Sequence, residues 1–194
     1  REIVQHAKRY NVIDAGRRIG KSKLGLQRTH RPLQDGLPVG WFAPTYKLLT
    51  DIWREAKELY GSLIQDKSEA EHRLQLISGG VLEFWTMDDQ DPARGKKYAR
   101  IVIDEAAMVD HLDRSWENAI RPTLTDLKGD AYFLSTPKGL NYFWTLYQKS
   151  DHDPDWGSWL KKTIENPYID PEEVEAARRD LPERVFLQEY EAQF

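Results

Sequence analysis

The chain has no cysteine among its 194 residues, which excludes disulfides and Cys-ligated zinc or iron–sulfur sites. It also lacks any apolar run close to the ~20 residues that a membrane-spanning helix needs, so we expect no membrane partner. Basic residues are slightly outnumbered: 28 Lys and Arg face 32 Asp and Glu, for a net charge of −4. An acidic chain cannot coat nucleic acid with its whole surface, so any such contact must be local.

Strand and helix patterns alternate along what composition and length predict to be one α/β domain over residues 1–194. We predict strands at 12–14, 39–43, 101–104, 131–135 and 159–164, helices at 20–28, 46–59, 141–148, 171–179 and 183–193, a hairpin of 73–77 with 81–86, and a polar loop over 88–97. This alternation predicts a mostly parallel central sheet flanked by helices, with a ligand site at the carboxyl ends of its strands. The hairpin would be a small insertion, and residues from about 165 to 194 a helical C-terminal segment.

The first candidate site lies between an apolar run and an amphipathic stretch, and it has the form of a phosphate-binding loop, or Walker A motif. In such a loop, exposed backbone N–H groups and a helix N-terminus bind phosphate, Lys21 reaches the β- and γ-phosphates, and the Ser22 hydroxyl binds Mg²⁺. The usual pattern begins with glycine, which is displaced here to the second position. A chance G-K-S at a helix start is the competing interpretation. We predict that ATP contacts Ala15, Gly16, Arg17, Arg18, Ile19, Gly20, Lys21 and Ser22.

The second candidate site is the pair Asp104–Glu105, which ends a β-branched run typical of a strand buried on both faces. Such a pair usually caps the next helix. Here it follows a buried strand downstream of a phosphate loop, which is the order of a Walker B motif. We therefore predict that Asp104 holds Mg²⁺ and that Glu105 polarises the attacking water, as a nucleotide hydrolase requires.

A third segment, Ser135-Thr136-Pro137, follows the strand predicted over 131–135. A proline stop at a strand exit would explain it without any function. After a Walker B strand, however, a hydroxyl at this strand end lies near the γ-phosphate, where it can report hydrolysis to a moving part. We predict that Ser135 and Thr136 have this coupling role.

Taken together, these motifs resemble the ATPase domain of tailed-phage large terminases, the motors that package DNA into procapsids. The resemblance rests on the arginine-bearing Walker A variant, the Walker B segment, and four further stretches: Ala43–Tyr46, Arg94-Gly95, Asn166-Pro167 and 188–194. It implies an additional-strand, catalytic-Glu P-loop NTPase fold, with double-stranded DNA as the translocated substrate. The implied partners are a pentameric ring of copies, a portal protein and a small terminase subunit, in the host cell cytoplasm.

The resemblance also implies roles for single residues. Gln5 is the candidate adenine contact, Arg17 or Arg18 would assist at the γ-phosphate, and Arg94 would reach the γ-phosphate of a neighbouring subunit. The family's RNase H-like nuclease would begin where this chain stops, so we expect no nuclease activity in this chain. Two other functions stay open: a superfamily 2 helicase-like ATPase fragment, and a nucleotide-gated binding module without turnover.

Overall fold

The computed structural model describes residues 2–88 and 91–194. Its strands are β1 (Tyr10–Ala15), β2 (Val39–Ala43), β3 (Ile64–Ser68), β4 (Arg73–Leu76), β5 (Val81–Thr86), β6 (Arg100–Asp104), β7 (Asp130–Ser135) and β8 (Trp156–Lys161). Its α-helices are α1 (Glu2–Gln5), α2 (Lys21–Gln34), α3 (Tyr46–Tyr60), α4 (Leu112–Arg114), α5 (Tyr142–Gln148), α6 (Pro171–Asp180) and α7 (Glu183–Glu189). A π-helical stretch, Ser115–Ile120, and several 3₁₀ turns complete the chain.

All eight strands form one sheet in the order β3-β4-β5-β2-β6-β7-β1-β8. From β5 to β8 every neighbouring pair is parallel, whereas β3, β4 and β5 pair antiparallel. Strand β7 lies between β1, which leads into the phosphate loop, and β6, which ends in the acidic pair. This inserted strand is the hallmark of the additional-strand class, so the predicted fold is confirmed. The carboxyl ends of β1, β7 and β6 lie side by side.

Each face of the sheet is covered by its own apolar cluster. Helices α2 and α3 pack on one face, where Trp41 and Leu134 are fully buried. Helix α5 and the segment after β6 pack on the other face, where the Trp116 and Phe133 rings meet edge to face with centroids 4.8 Å apart. Because both faces are covered, the central strands are continuously apolar, as their sequences predict.

The predicted hairpin is part of a larger unit that continues the central sheet. Strands β4 and β5 have the expected bounds within one residue, and their turn is closed by Leu76 N–H donating to Gly80 O at 2.8 Å. Sequence reasoning missed β3, because this edge strand exposes most of its Ile-Gln-Asp-Lys-Ser side chains and so has no apolar alternation. The polar loop after β5 was predicted over 88–97, and Asp89 and Gln90 within it lie outside the described residues.

Helix α2 is longer than predicted, since it continues past Arg28 to Gln34 with Pro32 inside it. Proline has no N–H and leaves the carbonyl four residues earlier without its helical donor. Arg100 replaces that donor: its Nη1 donates to the Arg28 carbonyl at 2.5 Å, while the same guanidinium pairs with Asp130. A contact from another strand therefore lets the helix tolerate a residue that would otherwise end it.

Two predicted boundaries in the C-terminal part were wrong. The last strand was predicted over 159–164, but β8 begins at Trp156 and ends at Lys161. The start of the strand was missed because glycine, here Gly157, is unfavourable inside strands. Glycine is needed at this position because a Cβ would lie 2.4 Å from the Trp159 ring. The last helix was predicted to reach 193, but α7 ends at Glu189. The chain then turns back, and Thr163 N–H donates to Tyr190 O at 2.8 Å.

Candidate nucleotide-binding site

The phosphate loop connects the carboxyl end of β1 to the N-terminus of α2. Two of its residues have a left-handed backbone, Arg18 with φ 63° and Gly20 with φ 96°. Gly20 caps α2, so the helix starts with Lys21 and its first N–H groups face the loop. This conformation suits glycine and forms the concave turn in which backbone N–H groups bind anions.

Lys21 is buried, and all three of its ammonium protons have acceptors. The Nζ atom donates to the carbonyls of Ala15 and Gly16 at 3.0 and 3.2 Å, and to Thr136 Oγ1 at 2.8 Å. Burial lowers the pKa of Lys21, and the neighbouring Glu105 and Asp104 charges oppose that shift. Lys21 is thus a buried, hydrogen-bonded cation at the edge of the sheet, and its predicted contact with the β- and γ-phosphates stays a prediction.

Ser22 and the Walker B strand meet across the site. Ser22 Oγ donates to Asp104 Oδ2 at 2.9 Å, which joins the start of α2 to the end of β6. Burial, followed by the Glu105 charge, raises the pKa of Asp104 to about 6. Glu105, the residue directly after the strand, has a left-handed φ of 49°. A non-glycine residue held in this conformation is a strain often found at functional sites.

Ser135 and Thr136 lie between these two halves, at the end of β7. Thr136 Oγ1 accepts from Lys21 and donates to Ala15 O at 3.1 Å. The fully buried Ser135 Oγ accepts from Ala107 N–H at 3.1 Å and lies 3.5 Å from Glu105 Oε2. The two hydroxyls therefore contact both the phosphate-loop lysine and the carboxylate after β6. Their predicted position near the γ-phosphate and their coupling role both stay predictions.

The first half of the phosphate loop is hydrogen-bonded to the C-terminal part of the chain. Gly16 N–H donates to Lys161 O at 2.9 Å, and Arg17 N–H to Glu189 O at 2.7 Å. Thr163 Oγ1 donates to the Arg17 carbonyl at 2.8 Å. A Cβ at position 16 would lie 2.5 Å from Thr163 Oγ1, so glycine is needed at this contact. The displaced glycine of the motif thus serves packing against the C-terminal segment.

The arginines of the loop differ in their surroundings. Arg17 pairs through Nε with the carboxylate of Glu189, and this hydrogen bond raises its pKa. Arg18 has an exposed side chain, and its carbonyl accepts from Asn166 Nδ2 at 2.5 Å. Sequence reasoning did not find the roles of Thr163, Asn166 and Glu189, although the stretches that contain the last two carried part of the family resemblance. Nothing in their spacing points to the phosphate loop.

A cavity of about 400 Å³ opens beside the phosphate loop. Its lining combines apolar side chains with two charged side chains from α1 and β8, and consists of Glu2, Ile3, Ile13, Ala15, Ile19, Gly20, Lys21, Leu24 and Lys161. Gln5, predicted to contact adenine, is exposed at the end of α1 and does not line this cavity. Ile19 lines the cavity, and its predicted contact with ATP stays a prediction, as does the role of Gln5.

Arg94 lies away from these residues, in the loop between β5 and β6. Its side chain is 76% exposed and pairs with Asp91 at 2.9 Å. The residues on either side have left-handed backbones, Ala93 with φ 57° and Gly95 with φ 81°, and Ala93 is buried. Arg94 is thus exposed to solvent between two residues with left-handed backbones, and its predicted role at a neighbouring subunit stays a prediction.

Asp14, the residue before the loop, is a further buried group that sequence reasoning passed over. It is fully buried at the end of β1, and neither carboxylate oxygen has a hydrogen-bond partner in the described part of the chain. Burial raises its pKa to about 8, although the Lys21 charge acts in the opposite direction. An acidic residue inside the apolar run of β1 was the only sequence signal for it.

The residues present fit a triphosphate with a divalent cation. A left-handed glycine at the start of α2 and a buried lysine provide an anion cradle. The Ser22 hydroxyl and the Asp104 carboxylate, 2.9 Å apart, are hard oxygen ligands of the kind Mg²⁺ prefers. Within residues 2–88 and 91–194, no three His, Asp or Glu side chains gather as a metal site. No helix in the same ranges is long and apolar enough to cross a membrane.

Comparison with known proteins gives consistent matches. The chain is 32% identical to the terminase large subunit of Escherichia phage T5 over 195 residues, covering 96% of this chain and 44% of that protein. It is 33% identical to the terminase large subunit of Thermus virus P23-45 over 127 residues, covering 55% of this chain and 25% of that protein. It thus spans less than half the length of the curated relatives it matches. No family model matches the chain.

Solved structures share the fold. The large terminase ATPase domain of Thermus phage P74-26 superposes with a TM-score of 0.82 at 23% identity, covering 97% of this chain and 89% of that one. The large terminase of a thermophilic bacteriophage in complex with ATP-γ-S superposes with a TM-score of 0.78 at 14% identity, covering 96% and 47%. Sequence and fold agree on one assignment: the chain belongs to the family of phage terminase large subunits.

Proposed function

We propose that this chain binds ATP with Mg²⁺ and hydrolyses it to drive double-stranded DNA into a viral procapsid. The observation that carries the proposal is the Ser22–Asp104 hydrogen bond of 2.9 Å, because it brings the Walker A hydroxyl and the Walker B carboxylate to one point. Two motifs that are 82 positions apart in the sequence meet there. That meeting supports the two motifs acting together on one nucleotide.

Each residue of the site has a role that follows from its chemistry. The N–H groups of the loop and Lys21 would bind the phosphates, and Ser22 and Asp104 would hold the cation. Bound Mg²⁺ would neutralise charge on the phosphate oxygens. Glu105 orients the attacking water and accepts its proton. The position of this carboxylate supports the role, because it directly follows the cation ligand Asp104 and lies within 3.5 Å of the Ser135 hydroxyl.

The wider role follows from the family and is part of the proposal. A phage packaging motor shares the fold at a TM-score of 0.52. By analogy, copies of the chain assemble as a ring, a pentamer, on a portal protein, receive DNA from a small terminase subunit, and act in the host cell cytoplasm. Thr136 and Ser135 transmit hydrolysis to DNA movement, since they touch both Lys21 and Glu105.

Two variants separate nucleotide binding from hydrolysis. Lys21→Ala should lose ATP affinity and turnover together, because the ammonium contacts the phosphates before and during the reaction. Glu105→Gln should bind ATP and Mg²⁺ as the unchanged chain does, but release phosphate at least ~10²-fold more slowly, because the carboxylate acts on the transition state. Titration calorimetry and a phosphate-release assay measure the two quantities.

The matched control is Glu55→Gln, which removes one carboxylate from the exposed face of α3. It should change neither quantity. Equal loss of ATP affinity in Lys21→Ala and Glu105→Gln would contradict the division of roles. ATP binding without phosphate release by the unchanged chain, even when assembled, would instead favour a nucleotide-gated binding module.

A further inference from the structure

Glu83 on β5 is a carboxylate that binds two residues of the segment after Arg94. Its Oε1 accepts a hydrogen bond from Lys96 Nζ at 2.8 Å, and its Oε2 accepts one from the Tyr98 hydroxyl at 2.7 Å. The Glu83 side chain is only 14% exposed. Lys96 and Tyr98 follow Arg94 by two and four positions. One side chain of the sheet therefore holds the chain on the C-terminal side of Arg94.

Tyr98 is the rigid end of this arrangement. It is fully buried, and its hydroxyl accepts a hydrogen bond from Trp85 Nε1 at 2.8 Å. Its N–H donates to the Thr123 carbonyl at 2.8 Å, and its ring meets that of Phe42 edge to face with centroids 6.4 Å apart. Burial, followed by the Glu83 charge, raises the pKa of Tyr98, so the phenol keeps its proton and donates a hydrogen bond to Glu83. Glu83 is thus fixed from the side of the core.

Lys96 links this fixed carboxylate to the turn that contains Arg94. The Lys96 N–H donates to the Ala93 carbonyl at 3.1 Å, which closes the turn around Arg94. Ala93 is buried, whereas the Arg94 side chain is 76% exposed. The Lys96 ammonium, besides pairing with Glu83, lies over the Trp85 ring, 5.5 Å from its centroid. The turn is therefore attached to β5 by the charged side chain of one of its own residues.

We propose that Glu83 is a positioning residue for Arg94: by holding Lys96 and Tyr98, its carboxylate fixes the turn from which Arg94 reaches the γ-phosphate of a neighbouring subunit. The inference rests on the proposed function, because Arg94 acts only where copies of the chain assemble. An arginine that stabilises transition-state charge must be placed accurately, since a misplacement of about 1 Å can cost ~10²-fold in rate. Charge-assisted hydrogen bonds are stronger than neutral ones, so the charge of Glu83 sets how firmly the turn is held.

The test measures ATP hydrolysis and ATP binding by Glu83→Gln in the assembled whole chain with Mg²⁺. Phosphate release should be ~10-fold slower, less than a full misplacement costs, because a looser turn still brings Arg94 to the neighbouring site part of the time. The Kd for ATP, measured by titration calorimetry, should change less than about twofold, because Glu83 belongs to neither motif of the pocket. In an Arg94→Ala background, Glu83→Gln should slow release no further.

The matched control is Glu69→Gln, in the turn between β3 and β4. Glu69 also accepts hydrogen bonds from a lysine and an aromatic side chain, Lys57 and Trp53, and this lysine likewise lies over the tryptophan ring. Glu69→Gln should change neither quantity. Lys96→Met breaks the same contact from a partly exposed side chain, so it serves as the test should Glu83→Gln fail to fold. It should slow release as Glu83→Gln does, whereas Lys96→Arg, which keeps the charge, should hydrolyse ATP as the unchanged chain does.

Mixed assemblies show whether the defect acts on a neighbour. In a head-to-tail ring each subunit offers its arginine to one neighbour and its pocket to the other. In a mixture with an equal amount of Lys21→Ala, about half of the Glu83→Gln pockets meet an unaltered Arg94 turn. Phosphate release per Glu83→Gln subunit should therefore rise to about half that of the unchanged chain. A mixture with Arg94→Ala, which supplies no arginine, should give no such rise.

The inference is overturned if Arg94→Ala is slow but Glu83→Gln releases phosphate at the unchanged rate. It is also overturned if the defect of Glu83→Gln persists in the mixture with Lys21→Ala or adds to that of Arg94→Ala, since the carboxylate would then act on its own pocket. An equal defect in Glu69→Gln would contradict it as well. Hydrolysis by assembled Arg94→Ala at the unchanged rate would instead remove the role of Arg94, and with it the inference. An assembled unchanged chain that releases no phosphate would overturn the proposed function itself.

Discussion

Asp14 is a carboxyl group buried beneath the phosphate loop without a hydrogen-bond donor among the described residues. A charge in this position is costly because no solvent or partner compensates for its lost hydration. The carboxyl therefore holds its proton, and burial raises its pKa from 3.8 to about 8. The nearby Lys21, in contrast, has hydrogen-bond acceptors for its ammonium group. The folded state is therefore destabilised when the Asp14 carboxyl group loses its proton.

The raised pKa of Asp14 makes the free energy of unfolding depend on pH. Between about pH 4 and pH 8 the folded chain binds a proton at Asp14 that the unfolded chain has lost, so the free energy of unfolding falls as pH rises. Asp104, raised to about 6, adds to the fall at the acidic end of this range. Asp14→Asn is uncharged at every pH, so its urea-unfolding free energy should fall less between pH 5.5 and 7.5, by on the order of 2 kcal/mol.

The control for that measurement is Asp51→Asn, on the exposed side of α3. Its unfolding free energy should follow the pH profile of the unchanged chain. A profile for Asp14→Asn that is as steep as that of the unchanged chain would mean that Asp14 is already ionised in the fold.

Helices and strands are predicted correctly from sequence where their residue pattern depends on contacts that every such element makes, and not on one particular partner. The buried strands β2, β6 and β7 and helix α3 follow from apolar runs and helical spacing, and the order of motifs predicts which strand ends come together. Strand β3 and the extension of α2 were missed because they depend on partners elsewhere: β3 on its neighbour β4, and α2 on a guanidinium from β6.

The residues of the candidate site also fall into two groups, those that the sequence predicts and those that only the structure identifies. Lys21, Ser22, Asp104 and Glu105 lie in motifs whose residue types imply a chemistry, so the sequence alone predicts them as a site. The structure brings Ser22 and Asp104 into contact. Contacts between the phosphate loop and Thr163 or Glu189 span about 146 to 172 positions, and no periodicity records a pairing over that distance. These contacts depend on the fold, which places the segments after β8 and at the end of α7 beside the phosphate loop.

Gly16 offers a test of the contact between these elements. Gly16→Ala places a Cβ 2.5 Å from Thr163 Oγ1 and 2.7 Å from the Tyr190 carbonyl, so the C-terminal segment must shift. We expect a loss of ~1–3 kcal/mol in unfolding free energy, the usual cost of overpacking. Hydrogen exchange should also rise over residues 161–166 and 189–191. Chemical unfolding and exchange mass spectrometry measure the two effects.

Gly139→Ala is the matched control, because a Cβ there meets nothing within 4 Å although the backbone has φ 63°. It should cost stability through backbone strain alone and leave exchange over 161–166 unchanged. If Gly16→Ala leaves both the stability and the exchange at the level of the unchanged chain, the two segments are not in the contact described.

At the scale of the whole molecule, the exposed Arg94 lies between β5 and β6, apart from the residues of the phosphate loop and the Walker B strand. Copies arranged head to tail in a ring place one surface of each subunit against a different surface of the next. In such a ring, an exposed arginine of one subunit could reach the site of the next. The predicted role of Arg94 can therefore be tested only with more than one copy.

The test uses two inactive variants that complement each other. Arg94→Ala should bind ATP normally but hydrolyse it ~10³- to 10⁵-fold more slowly, the effect of losing an arginine that neutralises transition-state charge. Lys21→Ala loses its own nucleotide but keeps its arginine. In a ring assembled from equal amounts, about a quarter of the interfaces join an intact pocket to an intact arginine, so phosphate release should recover to a comparable fraction. Arg54→Ala, which removes an exposed arginine of α3, should behave as the unchanged chain. If the assembled mixture stays as inactive as either variant alone, Arg94 does not act between subunits, and Arg17 becomes the arginine to test at the γ-phosphate.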